Sequence, residues 1–329
     1  MSMLAPSLQA FFMTRLGNER DVSPHTVDSY RHTFRLLLAH AKEKTGKAPS
    51  ELELGDLDAA LISSFLDHLE RDRGCGAGTR NTRLAAVHSF FTFASYRHPE
   101  HADTIRQVLA IPQKKTERRP RAFLSAPEME ALLTAPDRST WTGRRDHVLL
   151  AVALRTGLRL SELTGLRCQD VQLGASAHLK CLGKGRKRRD TPLDKAIASL
   201  LRAWLTEREG EPDDPLFPSR QGGRLSPDAV QRLVAKHADA ARTICPSLAS
   251  KHVTTHNLRH SCAMELLGNG VDVATVALWL GHEKLESVNA YLHSDLTMKE
   301  RALERRSPLN TKAGRYRPGD ALLAFLESL

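Results

Sequence analysis

Apolar positions recur at helical spacing through the first third of the chain. Leu8, Phe11 and Phe12, then Tyr30, Phe34, Leu37 and Leu38, fall three and four apart, which brings side chains onto one helix face. Ser23-Pro24 reads as a cap followed by proline at the first helical position. Leu61, Phe65, Leu66 and Leu69 form a third stripe, closed by Gly74, Gly76 and Gly78, and Leu84, Val87, Phe90 and Phe91 form a fourth. The expectation is a small all-helical unit over residues 1–111, with its aromatic rings in the core rather than stacked on bases. Tyr30 and Tyr96 are read as packing residues of that unit.

The periodicity fails over residues 112–124. Lys114, Lys115, Arg118, Arg119 and Arg121 face a single acid, Glu117, and prolines stand at 112 and 120. Unrelieved charge and proline disfavour a packed element, so the stretch reads as an exposed basic linker, either merely solvated or lying along phosphates. A second unit is expected over 125–306. It opens at Ser125-Ala126-Pro127-Glu128, a helix start with its acid in the first turn. A strong helix follows over 145–155 and stops at Gly157. Val171 and Leu173, Leu179 and Cys181, and Thr191 and Leu193 are short pieces between Gly and basic turns, which suggests a small antiparallel sheet. Helices resume over 194–209, 226–242, 257–267 and 272–280, with Gly268 and Gly281 as punctuation. The predicted fold is mainly α with a minor antiparallel β-sheet. In a tail over 307–329, Leu322, Phe325, Leu326 and Leu329 make a stripe on a helix too short to bury its own face. That helix docks either in cis or on a neighbouring protomer.

Charge narrows the class of partner. The chain has 329 residues with 48 Lys+Arg against 38 Asp+Glu, a formal charge of +10, and this excess points to a polyanion. With 41% hydrophobic and 26% charged residues it is not a disordered chain. No stretch approaches the about 18 uncharged residues of a membrane helix, no signal-peptide pattern is seen, and no membrane association is expected. The 5 cysteines are scattered without a C-x-x-C pair, as in reduced thiols of a cytoplasmic protein.

Three local signals could carry chemistry. In Thr156-Gly157-Leu158-Arg159-Leu160-Ser161-Glu162-Leu163 an arginine sits in a tight turn between apolar helices, where it could project or simply cap. Glu162, one turn on, could orient a guanidinium or a neighbouring base, or merely favour the helix dipole. Gly183-Lys184-Gly185-Arg186-Lys187-Arg188-Arg189 reads as a basic hairpin tip, and lacks the G-x-x-x-x-G-K-[ST] pattern of a nucleotide loop. In Thr255-His256-Asn257-Leu258-Arg259-His260, His256 and Arg259 share a helix face. His256 and His260 have the spacing of a zinc pair, but Asn257 stands where a metalloprotease needs Glu, and no metal is expected.

Two more motifs follow in order, Trp279-Leu280-Gly281-His282 and Asn289-Ala290-Tyr291-Leu292-His293. The succession of Arg159, Lys184, His256-x-x-Arg259, Gly281-His282 and Tyr291 resembles the tyrosine recombinase (phage integrase) family. The helical first unit, with Ser23-Pro24-His25-Thr26-Val27 and Tyr30, looks like that family's core-binding, SAM-like domain. Asp190 departs from the pattern, since members often carry an apolar residue there, and it leaves that strand's register open.

The residue types suit the implied chemistry. Two guanidiniums, Arg159 and Arg259, can clamp charge developing on a phosphate. Clustered positive charge favours a phenolate at Tyr291, whose unperturbed pKa is about 10. His256 suits general acid–base work. Lys184 matches the family's lysine as donor to a leaving 5′-oxygen, with Lys187 as runner-up, and His282 would hydrogen-bond phosphate or tyrosine. The resemblance implies that Tyr291 forms a 3′-phosphotyrosyl link and that a 5′-hydroxyl reverses the step. The bond is kept covalently, so no cofactor is required. Its implied partners are double-stranded DNA with specific recombination sites, further copies of the chain as a tetramer, and accessory DNA-bending or partner recombinase proteins. Lys114, Lys115, Arg118, Arg119, Arg121, Lys187 and Arg188 are the candidate DNA contacts, and the location is cytoplasmic, on the nucleoid. Integration or transposition of a mobile element leads, with the long tail in its favour. Xer-like dimer resolution, a type IB topoisomerase and a non-catalytic DNA-binding protein are the alternatives.

Overall fold

The computed structural model describes residues 3–19, 22–116, 122–183, 188–281 and 325. The chain divides into two units, Met1–Arg119 and Pro120–Leu329. No described helix is long and apolar enough to cross a membrane.

Unit one is helical. Helix α1 (Leu4–Ala10) runs on into a π-helical stretch, Phe11–Glu19, and is followed by α2 (Pro24–Thr45), α3 (Ala59–Arg71), α4 (Ala77–Ser95) and α5 (Ala102–Leu109). Local chemistry sets several ends. Ser23 accepts the Thr26 N–H at 3.3 Å with Pro24 beginning α2, and Gly46 closes it at φ 73°. Asp58 caps α3 by accepting the Leu61 N–H at 2.7 Å. The apolar stripes meet in one core. Phe11, Phe65, Phe90 and Phe91 are 0% exposed, and the Phe11 ring lies 5.5 Å from that of Phe90, edge to face. Tyr30 stacks on Phe11, but Tyr96 is 79% exposed at the end of α4 and lies outside the core. Helix α5 is weakly signalled in sequence, being only two turns long; it buries Ile105 and Val108.

The basic stretch after α5 is anchored where it leaves the unit. The Pro112 carbonyl accepts from Arg80 at 3.3 Å, and the Asn81 amide holds the Lys114 backbone at both N–H (3.0 Å) and C=O (2.7 Å). Lys114 Nζ meets Glu70 at 2.6 Å, and Lys115 is exposed. Arg118, Arg119 and Arg121 lie outside the described residues.

Unit two contains α6 (Ala126–Thr134), α7 (Trp141–Thr156), α8 (Leu160–Gly165), a sheet of β1 (Val171–Gln172), β2 (His178–Leu182) and β3 (Arg188–Pro192), then α9 (Lys195–Arg208), α10 (Pro227–Ala241), α11 (Thr255–Gly268) and α12 (Val273–Leu280). Helix α7 is its central rod. Residues 148–154 are all buried, because α6, α9 and α11 pack around it. The sheet is antiparallel in the order β1-β2-β3, pairing Leu179 with Thr191 and Cys181 with Arg189. Its register puts Leu179, Cys181, Arg189 and Thr191 inward and Lys180 and Asp190 outward. Leu173 and Leu193 fall just outside the strands. Gly268 is the last residue of α11, and the left-handed turn that punctuates it falls at Gly270 (φ 86°).

Candidate active site

Three turns of unit two hold the candidate residues. Helix α7 ends at Gly157, whose φ of 60° is left-handed and whose missing Cβ would lie 2.5 Å from a Leu280 methyl and 3.2 Å from Cys262 Sγ. Only glycine turns there, and the turn sets Arg159 as the first flanking residue of α8. Thr254 caps α11 with Asn257 reaching back to its N–H at 2.9 Å, which places His256 in the first turn and Arg259 one turn on. Helix α12 closes at Gly281, φ 64°.

The opposite side of α11 fastens the start of the unit. Asn257 Nδ2 donates to the Ala122 carbonyl at 2.7 Å, and Ser261 accepts the Leu124 N–H at 2.8 Å. Lys251 Nζ donates to the Phe123 carbonyl (2.8 Å) and to Glu128 (2.6 Å), and Ser247 donates to Glu128 at 2.6 Å. Burial raises the Glu128 pKa, but Lys251, Ser247 and the Ser125 N–H outweigh it and hold the carboxyl at about 2.

The two candidate clamp arginines converge. Arg259, only 4% exposed, donates to the Gly157 carbonyl and, at 2.7 Å, to the Leu280 carbonyl. Arg159 donates to the next carbonyl, Gly281, at 2.8 Å. Both forks therefore meet at the negative end of α12, immediately before His282. A guanidinium presents its five N–H donors in a planar fork that matches a phosphate. His256 sits on the exposed side of the same α11 turn. His260 is 1% exposed, with its ring against Phe123.

Glu162 ties Arg159 to a residue that sequence spacing missed. Its buried carboxylate, 1% exposed at the side chain, accepts the Arg159 N–H (2.8 Å), Arg159 Nη1 (2.8 Å) and Arg189 Nη2 (2.7 Å). Burial pushes this carboxyl up, yet the Arg159 N–H and the charges of Arg189 and Arg159 bring it below the ordinary carboxylate value. Glu162 therefore orients a guanidinium, and its place at a helix start serves the same geometry. Arg189 also donates to the Trp279 carbonyl. The reading of residues 183–189 as one basic tip is thus corrected at its end: strand alternation turns Arg188 outward and Arg189 inward. The inward position two residues before Thr191 was the available signal. Arg188 is exposed, while Lys184, Lys187, His282 and Tyr291 lie outside the described residues.

An open cleft of about 810 Å³ borders Glu162 and is lined by Arg167, Lys180, Arg188 and Arg224 among others. Cys262, packed beneath Gly157, is pushed up to about 12 by burial and the nearby Glu265 charge, so it is an inert thiol.

Comparison with known proteins decides the family. Residues 122–298, more than half of the chain, match the phage integrase family, and residues 10–98 match the phage integrase N-terminal SAM-like domain. The chain belongs to the phage integrase family. It is a site-specific tyrosine recombinase, an enzyme that transfers DNA strands. It is similar to the putative integrase/recombinase y4rC of Sinorhizobium fredii, 52% identical over 99% of this chain and 98% of that one. It is also similar to the tyrosine recombinase XerC of Rhodospirillum centenum, 34% identical over 85% of this chain and 80% of the other. Among solved structures, the Tn1549 transposon integrase in complex with circular intermediate DNA matches with a TM-score of 0.69 at 15% identity, covering 93% of this chain and 100% of that one. This integrase-family chain therefore has the expected architecture, a helical SAM-like unit and an α-rich unit with a three-stranded sheet.

Proposed function

We propose that this recombinase cleaves DNA with Tyr291 as nucleophile and Arg159, Lys184, His256, Arg259 and His282 as its catalytic set. The observation carrying the reading is the convergence of Arg159 and Arg259 on the consecutive carbonyls of Gly281 and Leu280. His282 follows Gly281 directly in the sequence, and Tyr291 stands nine positions further on. The Tyr291 oxygen attacks phosphorus, the bond to the 5′-oxygen breaks, and the departing oxygen takes a proton, from Lys184 in this assignment. The phenolic proton passes to His256. A 5′-hydroxyl of a second strand then attacks the 3′-phosphotyrosine and releases the tyrosine. Charge neutralisation on the non-bridging oxygens by two arginines supplies the main rate factor.

The basic residues Lys114, Lys115, Arg118, Arg119, Arg121, Lys187 and Arg188 contact phosphates of double-stranded DNA at specific recombination sites. Exposure of Lys115 and Arg188 supports this. The described ends of the 112–124 stretch are each tied to their own unit, at Lys114 and at Ala122. The enzyme works in the cytoplasm as a tetramer on two sites, aided by accessory DNA-bending or partner recombinase proteins; residues 307–329, whose docking in cis or in trans stays open, lie outside the described residues apart from Phe325. Integration or transposition of a mobile element is favoured over Xer-like resolution, because the integrase relative is 52% identical and the XerC relative 34%.

A suicide substrate, nicked so that the product strand diffuses away, tests the assignment. Wild-type protein is expected to accumulate a covalent adduct that Tyr291→Phe abolishes. An adduct of equal yield in that variant overturns it.

A further inference from the structure

The α12 end is held by three arginines on three successive carbonyls, Trp279 by Arg189, Leu280 by Arg259 and Gly281 by Arg159. Two of them belong to the proposed catalytic set. The third comes from β3, pairs across the sheet with Cys181, and keeps only 14% of its side chain exposed. Its aliphatic stem lies against Gly281, where an added Cβ would come within 3.0 Å of Arg189 Cδ. Its second fork reaches Glu162 at 2.7 Å.

Arg159 and Glu162 alone form a neutral pair, and a guanidinium neutralised by its own carboxylate attracts a phosphate weakly. With Arg189 sharing the same carboxylate, the trio carries a net charge of +1. The low-dielectric surroundings of a carboxylate 1% exposed make that difference large. We propose that Arg189 is a positioning residue for strand cleavage, which shares Glu162 so that Arg159 keeps its charge for the scissile phosphate, while fixing the α12 end next to His282. This inference rests on the recombinase reading above and adds a residue to it.

Single-turnover cleavage of a suicide substrate is the test, run beside DNA affinity and thermal melting. Wild-type adduct formation comes first, and its absence would count against the proposed function rather than against Arg189. Arg189→Gln is expected to slow cleavage about 100-fold, the scale seen when one preorganised donor is lost, with affinity within about threefold of wild type. Arg189→Lys keeps the charge and is expected to stay within about tenfold of wild type. The decisive variant is the double change Arg189→Gln with Glu162→Gln. Removing the carboxylate returns the net charge to +1, so the double variant should cleave at least about tenfold faster than Arg189→Gln alone. A purely structural arginine predicts the opposite, since losing both partners would compound the damage. The inference is overturned by wild-type rates in Arg189→Gln, by a double variant no faster than that single one, or by an Arg189→Lys protein that folds but cleaves as slowly as Arg189→Gln.

Discussion

The two units bury different things. Unit one encloses rings and aliphatic side chains, with Phe11, Phe34, Phe65, Phe90 and Phe91 at its centre and few polar groups, among them His40 and Arg80. Unit two has an apolar core around α7, but it also buries Glu128, Arg145, Asp146, Glu162, His237, Arg259 and His260. These charges are arranged in partnered sets. Asp146, for example, lies 2.7 Å from Arg145 and 2.9 Å from His237. Burying a charge is costly unless it is paired and hydrogen-bonded, so such sets are tolerated only where their geometry is complete. The contrast separates a unit specified mainly by shape from one whose interior also fixes electrostatic geometry at a site.

The largest expected effect tests the electrostatic side. Arg259→Ala leaves the Gly157 and Leu280 carbonyls without this donor and removes half of the proposed clamp. Covalent adduct formation should fall by at least about 100- to 1,000-fold. Cleavage within tenfold of wild type would put the phosphate elsewhere.

The next effect tests the apolar side. Phe11→Ala should destabilise unit one by about 3–5 kcal/mol through lost burial and the cavity left behind. All 3 tryptophans, Trp141, Trp204 and Trp279, lie in unit two, so tryptophan fluorescence reports that unit while far-ultraviolet circular dichroism reports both. Loss of helical signal should precede the fluorescence transition in this variant. Coincident transitions at the wild-type midpoint would break the contrast.

A smaller effect sharpens it through pH. Glu128 is held at about 2 against an ordinary 4.5, so its contribution is present above the unfolded value and is lost as pH falls from about 4.5 toward 2. The shift corresponds to at most about 3–4 kcal/mol. Denaturation followed by tryptophan fluorescence should show this acid loss, and Glu128→Gln should flatten it. An unchanged acid slope in that variant would assign the loss to other carboxylates.

Helix positions, caps and the apolar faces were legible because they depend on neighbours in the chain. Ser23, Asp194, Ser226 and Asp272 cap the helices that their spacing announces, each accepting the N–H three residues on. The roles of Gly157 and Gly281 as helix stops were equally local. Exposed Tyr96 and inward-facing Arg189 were harder. Nothing within a few residues says whether an aromatic at a helix end finds a core, or which face of a strand inside a basic run turns inward.

From sequence alone followed the mainly helical class, the two-unit organisation, and the ordered Arg, Lys, His-x-x-Arg, Gly-His and Tyr motifs of the family. Covalent neighbours and chemical type carry that information over short distances. Only tertiary structure decided that Arg159, Arg189 and Arg259 share the end of α12, and that Glu162 links two of them. Those contacts join residues as far as 122 positions apart. They exist because Gly157 lets α7 turn against α11 and α12 and because one β-register points Arg189 inward, conditions that depend on packing in three dimensions.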